Sequence, residues 1–283
     1  MTVAVHDSHI LEGVPRSRSV FQRNLNLIRE LSITAFKLKY TGSALGYVWS
    51  LVKPLMLFGI MLLVFSILLK AGQGQYEFPI QLLVAIVAWT FFTEATTNAM
   101  NAIAGSGDLI RKAYFPRWIL VASSMTSALL TFTINTALVL IVTFALGQLH
   151  ITWLSLLAIL YYLELVVLIL GLSLLLSSLF VFFRDLGHIW EIVSLVLFYG
   201  SAVVIPFQTV WDHSKKLAYL AGVNPIAQII TDLRHVLIDP AKVRSMASFI
   251  GPLEVVPILL TIAIFLLGFA VFHRLTPRFA ESL

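Results

Sequence analysis

"GSGDLIRKAYFPRW" runs from Gly105 to Trp118 and carries Asp108, Arg111, Lys112 and Arg117 within ten residues. The stretches on either side are apolar and almost free of charge, with Glu94 before it and none from 118 to 146. A short charged island between two long apolar runs reads as a loop at a membrane boundary. Gly105 and Gly107 break the run that precedes it, Ser106 or Asp108 can cap a new helix, and Pro116 ends that helix. About eight residues remain, roughly 12 Å of helix. Leu109, Ile110, Tyr114 and Phe115 are expected to stand exposed among the charges. Such a helix suits insertion into a groove on a partner. The plainer alternative is an ordinary basic loop.

The rest of the chain agrees with a membrane setting. Of its 283 residues, 59% are hydrophobic and 12% charged, with a mean hydropathy of +0.93. That lies well above the roughly half-apolar usage of soluble domains. A span needs about 20 apolar residues, and this sequence supplies six such runs, near 45–69, 80–104, 118–146, 153–183, 186–205 and 255–272. The fold class expected is an all-α membrane protein, with a segment 1–40 ahead of a transmembrane domain 41–283. The fourth run exceeds what a bilayer requires, so it should tilt or project. No apolar run follows Met1, so no signal peptide is expected. Cysteine is absent, which excludes disulfides and thiolate metal sites. The net charge of +5 is small, and the cations sit at span ends, so nucleic acid is not expected as a partner.

Lys and Arg set the orientation. With the N-terminus inside, 13 of them fall on the cytoplasmic side and 6 on the other, five of those in one longer segment. Both termini and the opening stretch are therefore expected to be cytoplasmic. Between about 18 and 40, Phe21, Leu25, Ile28, Leu31, Ala35 and Leu38 recur at helical spacing, with Arg23, Arg29, Lys37 and Lys39 largely off that stripe. A basic amphipathic helix of this kind prefers the membrane interface, or else packs on a protein surface. Ser123, Ser124, Thr126, Ser127, Thr131 and Thr133 in the third run allow close helix contact in lipid.

Other charges stand out. Glu94 and Glu164 lie inside spans, where a carboxylate faces a cavity or a partner. Arg184 and Asp185 separate two spans that barely pause; they pin the turn or form part of a gate. Asn224 and Pro225 read as N-cap and first residue of a helix. In that helix Ile226, Ile229, Ile230, Leu233, Val236 and Leu237 form one stripe, with Asp232, Arg234 and His235 off it. Too short to span, it is expected to lie at or dip into the outer leaflet. No G-x-x-x-x-G-K-[ST] and no H-E-x-x-H occurs. Any energy for work must come from elsewhere.

Five stretches, in order, match a family pattern: "KLKYTGSALGYVWSLVKPL" (Lys37–Leu55), "AWTFFTEATTNAMNAI" (Ala88–Ile103), "DLIRKAYFPRWIL" (Asp108–Leu120), "VFFRDLGHI" (Val181–Ile189) and "NPIAQIITDLRHVLI" (Asn224–Ile238). The chain resembles the permeases of bacterial polysaccharide ABC exporters, the ABC-2 type subunits for O-antigen, teichoic acid, capsule and related glycans. The resemblance implies a homodimer of permeases in the bacterial inner membrane, working with two copies of a separate ABC ATPase. ATP and Mg would then belong to that partner, and this chain would hold no cofactor, metal or catalytic residue. It implies that Asp108, Leu109, Ile110, Arg111, Lys112, Tyr114 and Phe115 dock into the ATPase, and that short helices over about 207–238 fold back near the outer surface. It also implies a central path for a glycan on a polyprenyl diphosphate lipid. Candidates to line that path are Trp89, Phe91, Phe92, Glu94, Tyr161, Tyr162 and Tyr199, because sugar faces stack on aromatic rings; an interfacial aromatic belt is the alternative. Arg23, Lys37, Lys39 and Lys53 are candidates to receive the diphosphate. Lys53 departs from relatives, which often carry an uncharged polar residue there. The rival readings are an ABC-2 exporter of a drug or small lipid, an ion-coupled transporter using Glu94 and Glu164, and a membrane enzyme acting on lipid-linked sugars.

Overall fold

The computed structural model describes residues 20–43, 45–64, 78–112, 115–145, 147 and 152–279. Among them the chain is helical: α1 (Val20–Tyr40), α2 (Trp49–Leu62), α3 (Phe78–Ala104), α4 (Gly107–Lys112), α5 (Trp118–Ala145), α6 (Leu157–Phe182), α7 (Leu186–Gly200), α8 (Phe207–His213), α9 (Lys215–Gly222), α10 (Pro225–Leu237), α11 (Met246–Ile250) and α12 (Val255–Leu275).

Four stretches are long and apolar enough to cross a membrane: Phe78–Ala104, Trp118–Ala145, Trp153–Phe182 and Met246–Arg278. Two shorter apolar helices, Gly46–Leu62 and Leu186–Gly200, occupy the places expected for the first and fifth spans. The expected first span continues over 65–69, outside the described residues. The expected fifth span stops at Gly200 rather than 205, because Ser201–Ile205 leaves the helix. Ala202 there adopts φ 55°, a left-handed conformation unfavourable for a residue with a Cβ.

α3 is the axis of the fold. Its 27 residues cover about 40 Å at 1.5 Å per residue. Leu82, Ile86, Phe92, Ala95 and Ile103 are fully enclosed between α5 on one side and α6 on another. α6 pairs with α12 over much of its length. At their crossing Gly171 and Gly268 bring the two backbones into contact; a Cβ on Gly171 would stand 2.5 Å from the Phe265 Cα. Lipid gives little hydrophobic drive for helices to associate, so this close approach carries the pairing through dispersion.

The two ends of α3 are built differently. Beyond Ala104, α4, the α6–α7 turn and the residues after α12 come together. Ile110, Phe182, Leu275 and Phe279 close over Ile103, Val121 and Val181. At the Phe78 end lie α8–α11, with their own core of Phe207, Ala218, Ala227, Met246 and Phe249.

α1 packs along α5. Its packed face differs from the expected stripe. Ser32 is the buried residue, its hydroxyl bonded to the Ile28 carbonyl at 2.6 Å. Phe21, Leu25 and Leu38 remain exposed. A small residue permits close contact with α5, while the apolar stripe stays available to lipid. On α5, Ser123, Ser127 and Thr131 are buried as the contact reading requires, whereas Thr133 is exposed. The hydroxyls of Ser123, Ser124, Thr126 and Thr133 bond to carbonyls one turn earlier in α5, so most of this polarity is satisfied within the helix.

Candidate functional site

Among the described residues α4 covers Gly107–Lys112, and the last part of the helix expected up to Phe115 falls on residues outside them. α4 starts directly after Ser106, whose carbonyl accepts the Ile110 N–H at 3.0 Å. Asp108, Leu109, Arg111 and Lys112 face outward. Ile110 does not. It packs inward on the cluster shared by α3, α5, α6 and α12, because a short helix on a bundle end needs one apolar side chain to seat it. Ala113 and Tyr114 lie outside the described residues. Phe115 is half-buried and, with Leu109, Leu27 and Glu30, lines a groove of about 550 Å³ between α1 and the α4–α5 connection. Arg23 and Asn24 edge the same groove. Arg117 donates from Nη1 to the Thr276 carbonyl, joining the start of α5 to the end of α12.

Two candidates assigned separately from sequence meet directly. Lys39 Nζ on α1 lies 2.6 Å from Glu94 Oε1 on α3. Thr131 of α5 reaches the same oxygen at 3.4 Å. The pair is largely shielded, with the two side chains 27% and 18% exposed. Next to it is a polar cavity of about 380 Å³ lined by Lys39, Asn98, Asn101, Ser124 and Ser127. Glu94 and Lys39 therefore neutralise each other. Arg23, Lys37 and Lys53 are exposed.

The aromatic candidates divide. Trp89, Phe91 and Phe92 are core residues, 6%, 3% and 0% exposed. Trp89 packs on Phe198 at 5.4 Å, Phe91 stacks on Phe132 at 4.4 Å, and Phe92 faces Trp190 at 6.1 Å. They fill the helix interfaces rather than line an open surface of this chain, since α3 is enclosed on nearly all sides. Tyr161 and Tyr162 are half-buried and Tyr199 is exposed. At the α6–α7 turn Arg184 lies over the Phe180 ring at 5.3 Å. The Asp185 carbonyl receives the His188 and Ile189 N–H groups. Both side chains are exposed.

At the other end, α10 is enclosed rather than resting on a surface. Ile226 through Arg234 are all buried, including Gln228, Asp232 and Arg234. Its N-terminus forms as the sequence indicates: Asn224 Oδ1 accepts the Ile226 N–H at 3.0 Å and Pro225 follows. The residues off the apolar stripe do not face water; they are satisfied internally. Arg234 donates through Nε to Gln81 O at 2.8 Å, through Nη1 to Ala202 O at 2.7 Å and through Nη2 to Val203 O at 2.7 Å. It thereby holds the strained Ser201–Ile205 segment against the start of α3. Burial pushes its guanidinium down to about 9. Asp232 accepts the Met246 N–H at 2.7 Å and the Gln228 amide at 2.9 Å, and burial holds its carboxyl above the usual range. Gln228 also reaches Glu164 of α6 at 3.4 Å, so Glu164 serves α10.

The model of the ABC-2 type transporter family matches residues 26–238, about three-quarters of the sequence, from within α1 to the end of α10. The chain belongs to the ABC-2 type transporter family. Among curated proteins, this ABC-2 chain is 28% identical over 217 residues to an O-antigen export system permease protein RfbA of Myxococcus xanthus, covering 75% of this chain and 82% of that protein. It is 25% identical over 248 residues to an O-antigen export system permease protein RfbA of Klebsiella pneumoniae, covering 87% and 91%. Another Klebsiella pneumoniae protein of the same name is 25% identical over 251 residues.

Sequence reasoning missed three things in this ABC-2 chain. The inward seat of Ile110 carried a signal, since Ile110 stands seven residues after Ile103 and the two meet in one cluster. The Gly171–Gly268 contact carried none beyond two glycines in apolar runs. The role of Arg234 was masked by its place on the polar side of an apparently amphipathic helix.

Proposed function

We propose that this chain is the transmembrane subunit of an ATP-driven exporter that moves a polysaccharide, carried on a polyprenyl diphosphate lipid, outward across the bacterial inner membrane. The family match over residues 26–238 carries this reading, and the similarity to O-antigen export permeases supports a glycan as cargo. α2 and α7 complete six crossings in this reading. Two copies form the path, and two ATPase subunits bind ATP and Mg. The basic α4 end faces the cytoplasm, in line with the excess of Lys and Arg there. The outward face of α4, with Asp108, Leu109, Arg111 and Lys112, and the groove it shares with α1 take the ATPase. Movement imposed by ATP then enters the spans through α4. Tyr161, Tyr162 and Tyr199 are the aromatic candidates left with exposed area for sugar. Arg23 and Lys37 remain the basic candidates nearest the entrance, whereas Lys39 is held by Glu94. That ion pair counts against Glu94 as the site of an ion-coupled carrier.

The test has two parts. The chain, purified from its native host, should carry an ABC ATPase with it. Its depletion should cause a lipid-linked glycan to accumulate inside the cell. Purification without an ATPase, together with unchanged lipid-linked glycans on depletion, would overturn the proposal.

A further inference from the structure

At the α10 end lies a cavity of about 100 Å³ lined by Gln81, Gln208, Thr231, Arg234, Lys242 and Arg244, room for roughly three waters at liquid density. Three of these six side chains are cationic. Arg234 is 2% exposed and spends its bonds on backbone carbonyls, not on a carboxylate. Two of its five N–H donors remain after those bonds. Arg244 lies with its guanidinium 4.4 Å from the centre of the Phe249 ring and donates to Ser248 O at 2.7 Å. Lys242 keeps Asp239 at 3.7 Å. Gln208 gives its amide to Asp212 at 2.8 and 2.9 Å. Only one of the three cations thus has a carboxylate partner among these contacts. A buried guanidinium is expensive unless an anion or a set of dipoles answers it. Here dipoles answer part of it, beside two further cations and an open volume.

We propose that this cavity binds a phosphoryl group. A tetrahedral oxyanion offers acceptors in several directions at once, which matches two arginines and a lysine lining one small volume. Arg234 supplies the fixed base of the site, positioned by α3 and the Ser201–Ile205 segment. Lys242 and Arg244, exposed at the rim, close over the anion. The same chemistry is presented by an anionic phospholipid headgroup and by free phosphate. The site lies at the end of the bundle away from α4, so it is separate from the ATPase-docking surface and does not depend on the identity of the cargo.

The test uses the full-length chain in nanodiscs and reads its thermal midpoint. One arm titrates inorganic phosphate into phosphatidylcholine discs. A second compares phosphatidylcholine discs with discs containing phosphatidylglycerol. Each arm is run on the wild type and on the Lys242→Gln, Arg244→Gln double variant, which alters only exposed rim residues. A rise with inorganic phosphate that weakens at least about tenfold in apparent affinity in the variant supports free phosphate as the source. A rise confined to phosphatidylglycerol, and lost in the variant, supports a lipid headgroup. No rise in either arm, or a rise of equal size in wild type and variant, overturns the proposal.

Discussion

Gly268 lies directly against the Gly171 carbonyl: a Cβ on Gly268 would stand 2.0 Å from that oxygen. α6 and α12 therefore meet backbone to backbone. Gly268→Leu is expected to force them apart and to destabilise the chain by about 1–3 kcal/mol or more. Gly59→Ala, where nothing lies within 4 Å, should be close to neutral. Thermal unfolding of the two variants in one detergent checks the contrast. A Gly268→Leu protein that melts with the wild type would contradict the packing described.

The Lys39–Glu94 pair should be energetically coupled. Lys39→Met and Glu94→Gln each remove one charge and leave the other partly shielded, so the two single losses are expected to sum to more than the loss in the double variant. A coupling of about 1 kcal/mol or more is expected, above the range of exposed pairs. A double-mutant cycle on unfolding measures it, and a coupling near zero would argue against a defined ion pair.

Arg234→Met should be among the most damaging single substitutions. It leaves the carbonyls of Ala202 and Val203, which lie outside any helix, without their donor, at roughly 1–3 kcal/mol for each buried group left unsatisfied. Arg234→Lys should recover little, since one ammonium cannot reproduce the planar fork. The yield of monodisperse protein and the thermal midpoint report both effects.

Neighbouring residues on α4 should behave differently. Leu109→Asp alters an outward side chain, and is expected to reduce ATPase co-purification and export by about tenfold or more while the chain keeps its melting temperature. Ile110→Asp places a carboxylate in an apolar cluster, and is expected to lower the melting temperature by several degrees. Equal loss of stability in both variants would remove the distinction between seat and docking face.

Much of this fold could be read from hydropathy, because a span is a long-range average over some twenty residues and tolerates local noise. The boundaries of α3, α5 and α6 follow from it within a few residues, as do the Asn224 cap and the short helix after Gly105. Features that depend on which side of a helix meets which neighbour could not be read. The polar side of α10 looked solvent-facing because amphipathicity records contrast, not what covers each face; Asp232 and Arg234 are covered and answered by backbone groups far along the chain. Trp89, Phe91 and Phe92 looked available to a sugar, but α3 is enclosed by its neighbours. Lys39 and Glu94 are 55 residues apart, and no local pattern links them.

The seating of α4 has a mechanical consequence. Ile110 rests where α3, α5, α6 and α12 converge, and Arg117, just past that helix, is fastened to the last turn of α12. A load applied to α4 reaches the bundle through the Ile110 seat. It is shared at once by four helices, one of which runs the whole depth of the fold to the arginine staple at the opposite mouth. α4 thus acts as the short arm of a lever whose long arm is α3.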